Sequence, residues 1–171
     1  MSGLEAIRWK QKYPYMVKAI IGIDMATPLE YEHWNNKKVN KSIKMIKIAK
    51  KYNLHKISGL YPLSTRCLTI EERKQQKMLM KRNAFNICYI NEGKQVLENS
   101  KIVNDAGNIE CPMLLFSSNG KQIDKYWIES QQKYASAVRG KLIYYNCGHY
   151  IHYYKSNEMC KEIISFVDSL D

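Results

Sequence analysis

Three short apolar runs, separated by helical segments, limit most strongly the folds that this chain can adopt. They are VKAIIGI at 17–23, CPMLLFSSNG at 111–120 and KLIYYN at 141–146. The first is apolar almost throughout and rich in β-branched residues, which is typical of a strand buried on both faces of a parallel sheet. Strands that alternate with helices favour parallel pairing through right-handed crossovers. The sequence therefore predicts an α/β fold with a partial parallel sheet of about three strands.

Helical patterns accompany the three runs. Residues 2–12 are predicted to form a helix that stops before Pro14, and a second helix is expected at about 124–137. A last helix is predicted at about 156–170, with Ser156 as its N-cap. Its apolar stripe would consist of Met159, Ile163, Phe166 and Leu170.

The region from about 30 to 105 has a different character and shows no convincing strand. Helical spacing relates Val39, Ile43 and Ile46, and Thr69 to Glu72 form the capping box T-x-x-E at the start of another helix. A further helix is expected from about 84 to 104, ending near Gly107. This region is too long for a connector and too polar for a core layer. We expect a helical cap, inserted at 30–105 over the carboxyl ends of the strands, where open α/β sheets bind ligands.

The amino-acid composition limits the classes of function that this chain can have. The net charge is +11, which can indicate an anionic partner, but the lysines alternate with apolar residues as in a half-buried helix, so nucleic acid is not the favoured partner. No apolar run is long enough to span a bilayer, and the N-terminus has charges where an export signal needs an apolar core. The five cysteines include no CxxC pair, which favours free thiols in a cytoplasmic protein. We expect no membrane partner and no cofactor.

Polar groups follow each of the three runs at the predicted carboxyl edge of the sheet. Asp24 ends the first run, residues 119–124 follow the second, and Cys147 to His152 follow the third. A carboxylate on one strand end can hydrogen-bond an imidazole on a neighbouring one, fix its tautomer and stabilise imidazolium. A metal site at Cys147, His149 and His152 lacks further partners at zinc-like spacing, so no metal is predicted.

The two ends of the chain resemble the α/β-hydrolase family. The segment MSGLEAIRWKQKYPYMVKAIIGIDMATP looks like the helix after the nucleophile elbow and the strand that follows it. Ser2 would fill the last position of the G-x-S-x-G pattern, and Gly3 the small position after it. The runs at 111–120 and 144–167 resemble the last two strands and the closing helix. The resemblance covers nearly the whole chain and implies one α/β-hydrolase domain over 1–171, incomplete at its N-terminus, with a helical cap.

The resemblance also implies roles for individual residues. His149 in the Gly148-His149 pair would be the catalytic base, and Asp24 the acid, with Asp124 as the alternative. No nucleophile is present: the serine would lie one residue before Met1, and Ser2 does not substitute, because Leu4 stands where a small residue is required. The complete enzyme would hydrolyse a small-molecule ester or similar acyl bond, and this chain alone should be inactive.

The sequence is also compatible with two other functions. The chain could be a non-catalytic binding or regulatory module built on a partial sheet, or a basic nucleic-acid-binding protein. In a partial sheet, the strand at 17–23 would form an apolar edge that invites self-association or a partner chain. The aromatic residues Tyr31, His33, Trp34 and Tyr61 could line a pocket, although aromatics at such spacing more often pack.

Overall fold

The computed structural model describes residues 2–54 and 68–170. Within them, six α-helices and three strands follow one another in the order α1, β1, α2, α3, α4, β2, α5, β3, α6, with a 3₁₀ helix at Pro28–His33 between β1 and α2. The elements are α1 Ser2–Lys12, β1 Ile20–Ile23, α2 Asn36–Lys51, α3 Ile70–Asn83, α4 Ile87–Asp105, β2 Met113–Ser117, α5 Trp127–Ala137, β3 Lys141–Tyr144 and α6 His152–Asp168. Tyr61 lies outside the described residues.

The three strands form one parallel sheet in the order β1-β2-β3. Ile20 pairs with Met113, and Leu114 pairs with Lys141, so that all three strands end at the same edge. The predicted α/β class with a three-stranded parallel sheet is confirmed. Because both connections return the chain to a parallel strand, the polar residues that follow each strand are brought to the same edge of the sheet.

Burial in the sheet is uneven. Every residue of the central strand β2 is buried. In β1, by contrast, burial alternates, and Ile21 and Ile23 are 36% and 44% exposed. The expectation that the run at 17–23 is buried on both faces was therefore wrong for β1. The physical reason is its edge position, since α6 packs over Leu114 and Phe116 of the neighbouring strand.

Helix α6 supplies one side of the core. Met159 is buried in a cluster with Leu114, Phe116 and Ile151, and Ile163 and Phe166 pack against it, as the predicted stripe requires. The helix begins at His152 rather than at Ser156, and it contains a non-helical residue, Lys155. Burial of Ile151, whose carbonyl accepts hydrogen bonds from Tyr154 and Lys155, fixes the first turn without a side-chain cap. Ser156 is therefore not the N-cap of α6, although a kink at Lys155 makes the longer segment of the helix begin next to the predicted start.

The chain divides into two compact units. One contains Met1–His33 and Glu98–Asp171 and includes the sheet, and the other contains Trp34–Leu97. The second unit holds α2, α3 and the first part of α4, and its described residues include no strand. Its boundaries fall inside the predicted insert at 30–105, because the 3₁₀ helix and the end of α4 belong to the sheet unit, where Ser100 Oγ donates to the Pro28 carbonyl.

The capping box at the start of α3 is present. Thr69 Oγ1 accepts from the Glu72 backbone N–H, and the Glu72 carboxylate accepts from the Thr69 N–H at 2.8 Å. Gly107, two residues after α4, has φ 79° and donates its N–H to the Asn104 carbonyl, as predicted for a glycine at the end of that helix. Among the described helices, none is long and apolar enough to cross a membrane.

Candidate active site

Asp24 leaves the sheet in an unusual backbone conformation. Its N–H still donates to the Phe116 carbonyl at 2.8 Å, which continues the pairing of β1 with β2 by one residue. Its φ is 49°, in the left-handed region that side chains other than glycine, asparagine and aspartate rarely adopt. The backbone therefore turns sharply at the strand end and directs the carboxylate across the end of β2.

The Asp24 carboxylate is fully buried and has three partners. Oδ1 accepts the Ser118 backbone N–H at 2.7 Å and the Trp127 indole Nε1–H at 2.9 Å, and Oδ2 lies 2.6 Å from His149 Nδ1. A buried carboxylate is costly unless such donors replace its water. Donors from the loop after β2, from α5 and from the loop after β3 offset this cost and hold the carboxylate in one orientation.

His149 is joined to Asp24 through Nδ1 only. Its side chain is 40% exposed, whereas that of Asp24 is inaccessible. In a neutral imidazole, an Nδ1–H that donates to a carboxylate leaves Nε2 unprotonated and able to accept a proton. The pair can therefore act as a general base, with Asp24 stabilising the imidazolium after proton transfer. Among the described residues, no serine or cysteine forms a hydrogen bond with His149.

The loop that carries His149 is held by the loop after β2. Gln122 Oε1 accepts the His149 backbone N–H at 3.0 Å, and the Asn119 N–H donates to the Cys147 carbonyl at 3.0 Å. A Cβ on Gly148 would lie 2.8 Å from Gln122 Oε1, so a larger residue there would displace the Gln122 side chain that holds the loop. These two contacts hold the backbone that leads into His149.

The alternative acid, Asp124, lies in a different contact. Its Oδ1 accepts the Tyr126 backbone N–H at 3.0 Å, in the turn that leads into α5. The structure thus brings Asp24, rather than Asp124, to His149.

Sequence reasoning missed Trp127 and Ser118 as partners of Asp24. No role in the site was assigned to Trp127 from the sequence, and the Ser118 contact is made by its backbone. The signal for Trp127 was its place at the start of the helix after β2. A buried indole N–H usually requires a hydrogen-bond acceptor, and the strand ends supply acceptors nearby.

Cys147 and His152 lie beside the pair without joining it. Burial raises the pKa of the Cys147 thiol, and the Asp24 carboxylate raises it further, which disfavours a thiolate nucleophile. Cys147 instead packs against the core cluster of α6. His152 is exposed, and its ring lies 4.4 Å from that of Tyr153. Within the described part of the chain, no group of three metal-ligating side chains is close enough to hold an ion.

A polar cavity of about 490 Å³ lies in the loop between β2 and α5. Its described lining comprises Asn119, Gly120, Lys121, Ile123, Asp124, Lys125 and Ile128. Neither Asp24 nor His149 belongs to this lining, so the cavity neighbours the pair without containing it.

The aromatic residues that were proposed to line a pocket belong to different units of the chain. His33 stacks on Tyr126 with ring centroids 3.9 Å apart, which is a packing contact within the sheet unit. Trp34 belongs to the other unit, where the Lys38 ammonium lies 4.1 Å from its ring centroid.

The start of α1 packs tightly against the segment after Asp24. A Cβ on Gly3 would lie 2.1 Å from the Ala26 carbonyl oxygen and 3.0 Å from Met25 Cβ, so only glycine fits. Ser2, the first residue of α1, is exposed. The N-terminal end of α1 therefore lies against the loop that carries the Asp24 carboxylate.

Comparison with known proteins adds little about chemistry. No family model matches the chain, and no solved structure matches it. It is 29% identical over 143 residues to YbdG, an uncharacterized protein of Bacillus subtilis, a match that covers 78% of this chain. The chain corresponds to 44% of the length of that relative.

Proposed function

We propose that this chain is the C-terminal portion of a serine α/β-hydrolase that cleaves carboxylic esters or similar acyl bonds. The observation that carries the proposal is the 2.6 Å contact between the buried Asp24 carboxylate and His149 Nδ1 at the carboxyl edge of a parallel sheet. Such a pair needs only a hydroxyl nucleophile to complete an acyl-transfer triad. The nucleophile and the oxyanion hole would come from sequence outside residues 1–171.

In the proposed reaction, the serine oxygen attacks the substrate carbonyl while His149 Nε2 takes the hydroxyl proton. Asp24 holds the ring through Nδ1 and stabilises the imidazolium charge. The imidazolium then donates its proton to the leaving alkoxide, and water repeats the two steps to release the acid. Asp24 is not protonated at any stage.

Two features of packing support this proposal. The glycine required at position 3 matches the small residue expected after a nucleophile elbow, and it places the start of α1 against the segment that follows Asp24. In addition, Ile21 and Ile23 leave an apolar area on β1 uncovered. Further strands and helices of a complete hydrolase domain would cover this area. In this proposal, the unit Trp34–Leu97 is the helical cap.

The test is the mass and activity of the native gene product. An antibody against α6 should detect, in the source cells, a protein larger than the 20.1 kDa of this chain. The purified native product should hydrolyse 4-nitrophenyl butyrate, and His149→Ala should lower kcat/KM at least about 100-fold. His152→Ala is the matched control, because that histidine is exposed and does not contact Asp24, and it should keep activity within a few-fold.

Either of two results would overturn the proposal. One is a His149→Ala product as active as its parent. The other is a native product of 20.1 kDa, since a serine triad could not then form within this chain.

A second candidate function rests on the uncovered face of β1. If the native product has the mass of this chain, Ile21 and Ile23 favour a non-catalytic module that binds a partner chain along the edge of the sheet. Ile23→Lys should then abolish partner binding or self-association in analytical ultracentrifugation, while the exposed control Ile164→Lys should not.

A further inference from the structure

The net positive charge of this protein belongs to one of its two units. Residues 34–97 contain 15 lysines and arginines and three acidic residues, a net charge of +12. The sheet unit contains 12 basic and 13 acidic residues, a net charge of −1. No aspartate or glutamate occurs between Glu32 and Glu71. Unit Trp34–Leu97 is therefore a cationic region, because it combines many basic residues with few acidic ones.

Helix α2 has two apolar stripes rather than one. Val39 and Ile43 are buried on its inner side. The outer stripe consists of Met45, Ile48 and Tyr52, at intervals of three and four residues, and Lys41 lies on the same face one turn before it. Met45 is 62% exposed, Ile48 44% and Tyr52, which caps the helix, 64%.

Exposed lysines flank this outer stripe. Lys37, Lys44 and Lys51 lie beside it, all exposed, and the helix contains no acidic residue. A soluble helix does not gain stability from exposed methionine and isoleucine, so the pairing of apolar side chains with lysines on one face requires another explanation. Lysine stems can lie along an apolar phase while their ammonium groups stay in water.

Helix α3 also exposes apolar side chains next to basic residues. None of its residues is buried, and Met78 and Leu79 are exposed next to Lys77, Lys81 and Arg82. Two helices of the same unit thus expose long apolar side chains among cations.

We propose that unit Trp34–Leu97 docks on an anionic lipid surface, with the outer stripe of α2 inserted among the acyl chains and its lysines at the head groups. This inference does not depend on the catalytic role of His149. It revises the expectation from sequence that the protein has no membrane partner. The helix would lie in the interface rather than cross it, since a cationic helix with an exposed apolar stripe is typical of interfacial binding.

The combination of lysines with exposed apolar side chains on α2 favours a lipid surface over nucleic acid as the partner. A phosphate backbone would be bound by the lysines alone, and its bases would be met by stacked aromatic side chains or hydrogen-bonding groups. Met45 and Ile48 offer neither, whereas burial of such side chains in an acyl phase is favourable. Dependence on the apolar residues therefore distinguishes the two partners.

The experiment is sedimentation of the purified native gene product with vesicles. Binding is expected to vesicles of 30% phosphatidylglycerol in phosphatidylcholine, and not to phosphatidylcholine alone, and it should weaken as salt rises. The triple variant Lys41→Gln/Lys44→Gln/Lys51→Gln should lower the affinity on the order of 100-fold. Its matched control, Lys12→Gln/Lys121→Gln/Lys161→Gln, removes the same charge from exposed positions of the sheet unit and should change affinity less than about 5-fold.

The variant Met45→Ser/Ile48→Ser separates the possible partners. It should weaken vesicle binding at least about 10-fold and leave any retention on a 20-base-pair DNA duplex unchanged. Circular dichroism should show unaltered helix content in every variant. Equal binding to neutral and anionic vesicles, equal effects of the two lysine variants, or vesicle binding that survives the apolar substitutions would each overturn the proposal. DNA binding tighter than vesicle binding would assign the cationic unit to nucleic acid instead.

Discussion

The indole N–H of Trp127 donates a hydrogen bond to Asp24 across 103 residues of chain, and this carboxylate also holds His149. Trp127 opens α5, and Asp24 ends β1. The contact joins the helix after the central strand to the strand at the edge, so the orientation of the candidate base depends on a residue that does not itself touch it. Trp127 is therefore a positioning residue for the pair.

Replacing Trp127 by phenylalanine should keep most of the buried ring but remove its donor. A hydrogen bond to a charged group contributes about 1.5–3 kcal/mol, so the free energy of unfolding should fall by about that amount. Urea denaturation measures the change. Trp9→Phe, at an exposed position of α1, is the matched control and should change stability by less than about 0.5 kcal/mol. A Trp127→Phe protein as stable as its control would show that the bond is not formed.

Asp24→Asn should lower the free energy of unfolding less than Asp24→Ala does. The asparagine oxygen can still accept from Ser118 and Trp127, and asparagine tolerates the positive φ, so a loss of roughly 1–2 kcal/mol is expected. Alanine leaves two buried donors unpaired and should cost about 3–5 kcal/mol. Equal losses in urea denaturation would contradict this account.

The same asparagine variant should reverse the tautomer of His149. In the parent, Nδ1–H donates to Asp24 Oδ2. In Asp24→Asn the oxygen is retained by Trp127 and Ser118, so the amide NH₂ faces the ring and donates to Nδ1, which moves the proton to Nε2. Nitrogen-15 chemical shifts of the His149 ring measure this exchange. An unchanged tautomer would show that Asp24 does not set it.

Substitution by alanine should have opposite effects on protein stability at Gly3 and at Gly93. Gly3→Ala would place a Cβ 2.1 Å from the Ala26 carbonyl, and overpacking against backbone should cost about 1–3 kcal/mol or more. Gly93 lies inside α4 with nothing within 4 Å of an added Cβ, so Gly93→Ala should stabilise the protein by about 0.5–1 kcal/mol. Thermal denaturation of the two variants provides the comparison. A neutral Gly3→Ala would remove the packing support for an elbow at the start of α1.

The Cys147 thiol should react slowly and become more reactive when Asp24 is neutralised. Burial and the Asp24 carboxylate raise its pKa, so at pH 8 less thiolate is present than in an ordinary cysteine. Alkylation with iodoacetamide, followed by peptide mass mapping, should modify the exposed Cys88 and Cys160 first. The Cys147 rate should rise with pH and should be higher in Asp24→Asn at the same pH. A Cys147 that reacts as fast as Cys160 would contradict this.

The amino-acid sequence determined the elements and the place of the candidate site. Apolar runs with turn residues at their ends predicted the three parallel strands, because the alternation of strand and helix allows few other arrangements. The positions of Asp24 and His149 followed from the same runs. The capping box of α3 was also readable, since it depends on residues only three apart.

Tertiary structure decided what depends on distant neighbours. The exposure of Ile21 and Ile23 follows from the edge position of β1, and the start of α6 follows from burial of Ile151, neither of which local patterns report. The contact of His149 with Asp24, and that of Trp127 with the same carboxylate, depend on the loops that meet at the carboxyl edge of the sheet. Sequence periodicity describes one element at a time, whereas a hydrogen bond between residues 125 positions apart exists only after the elements have packed.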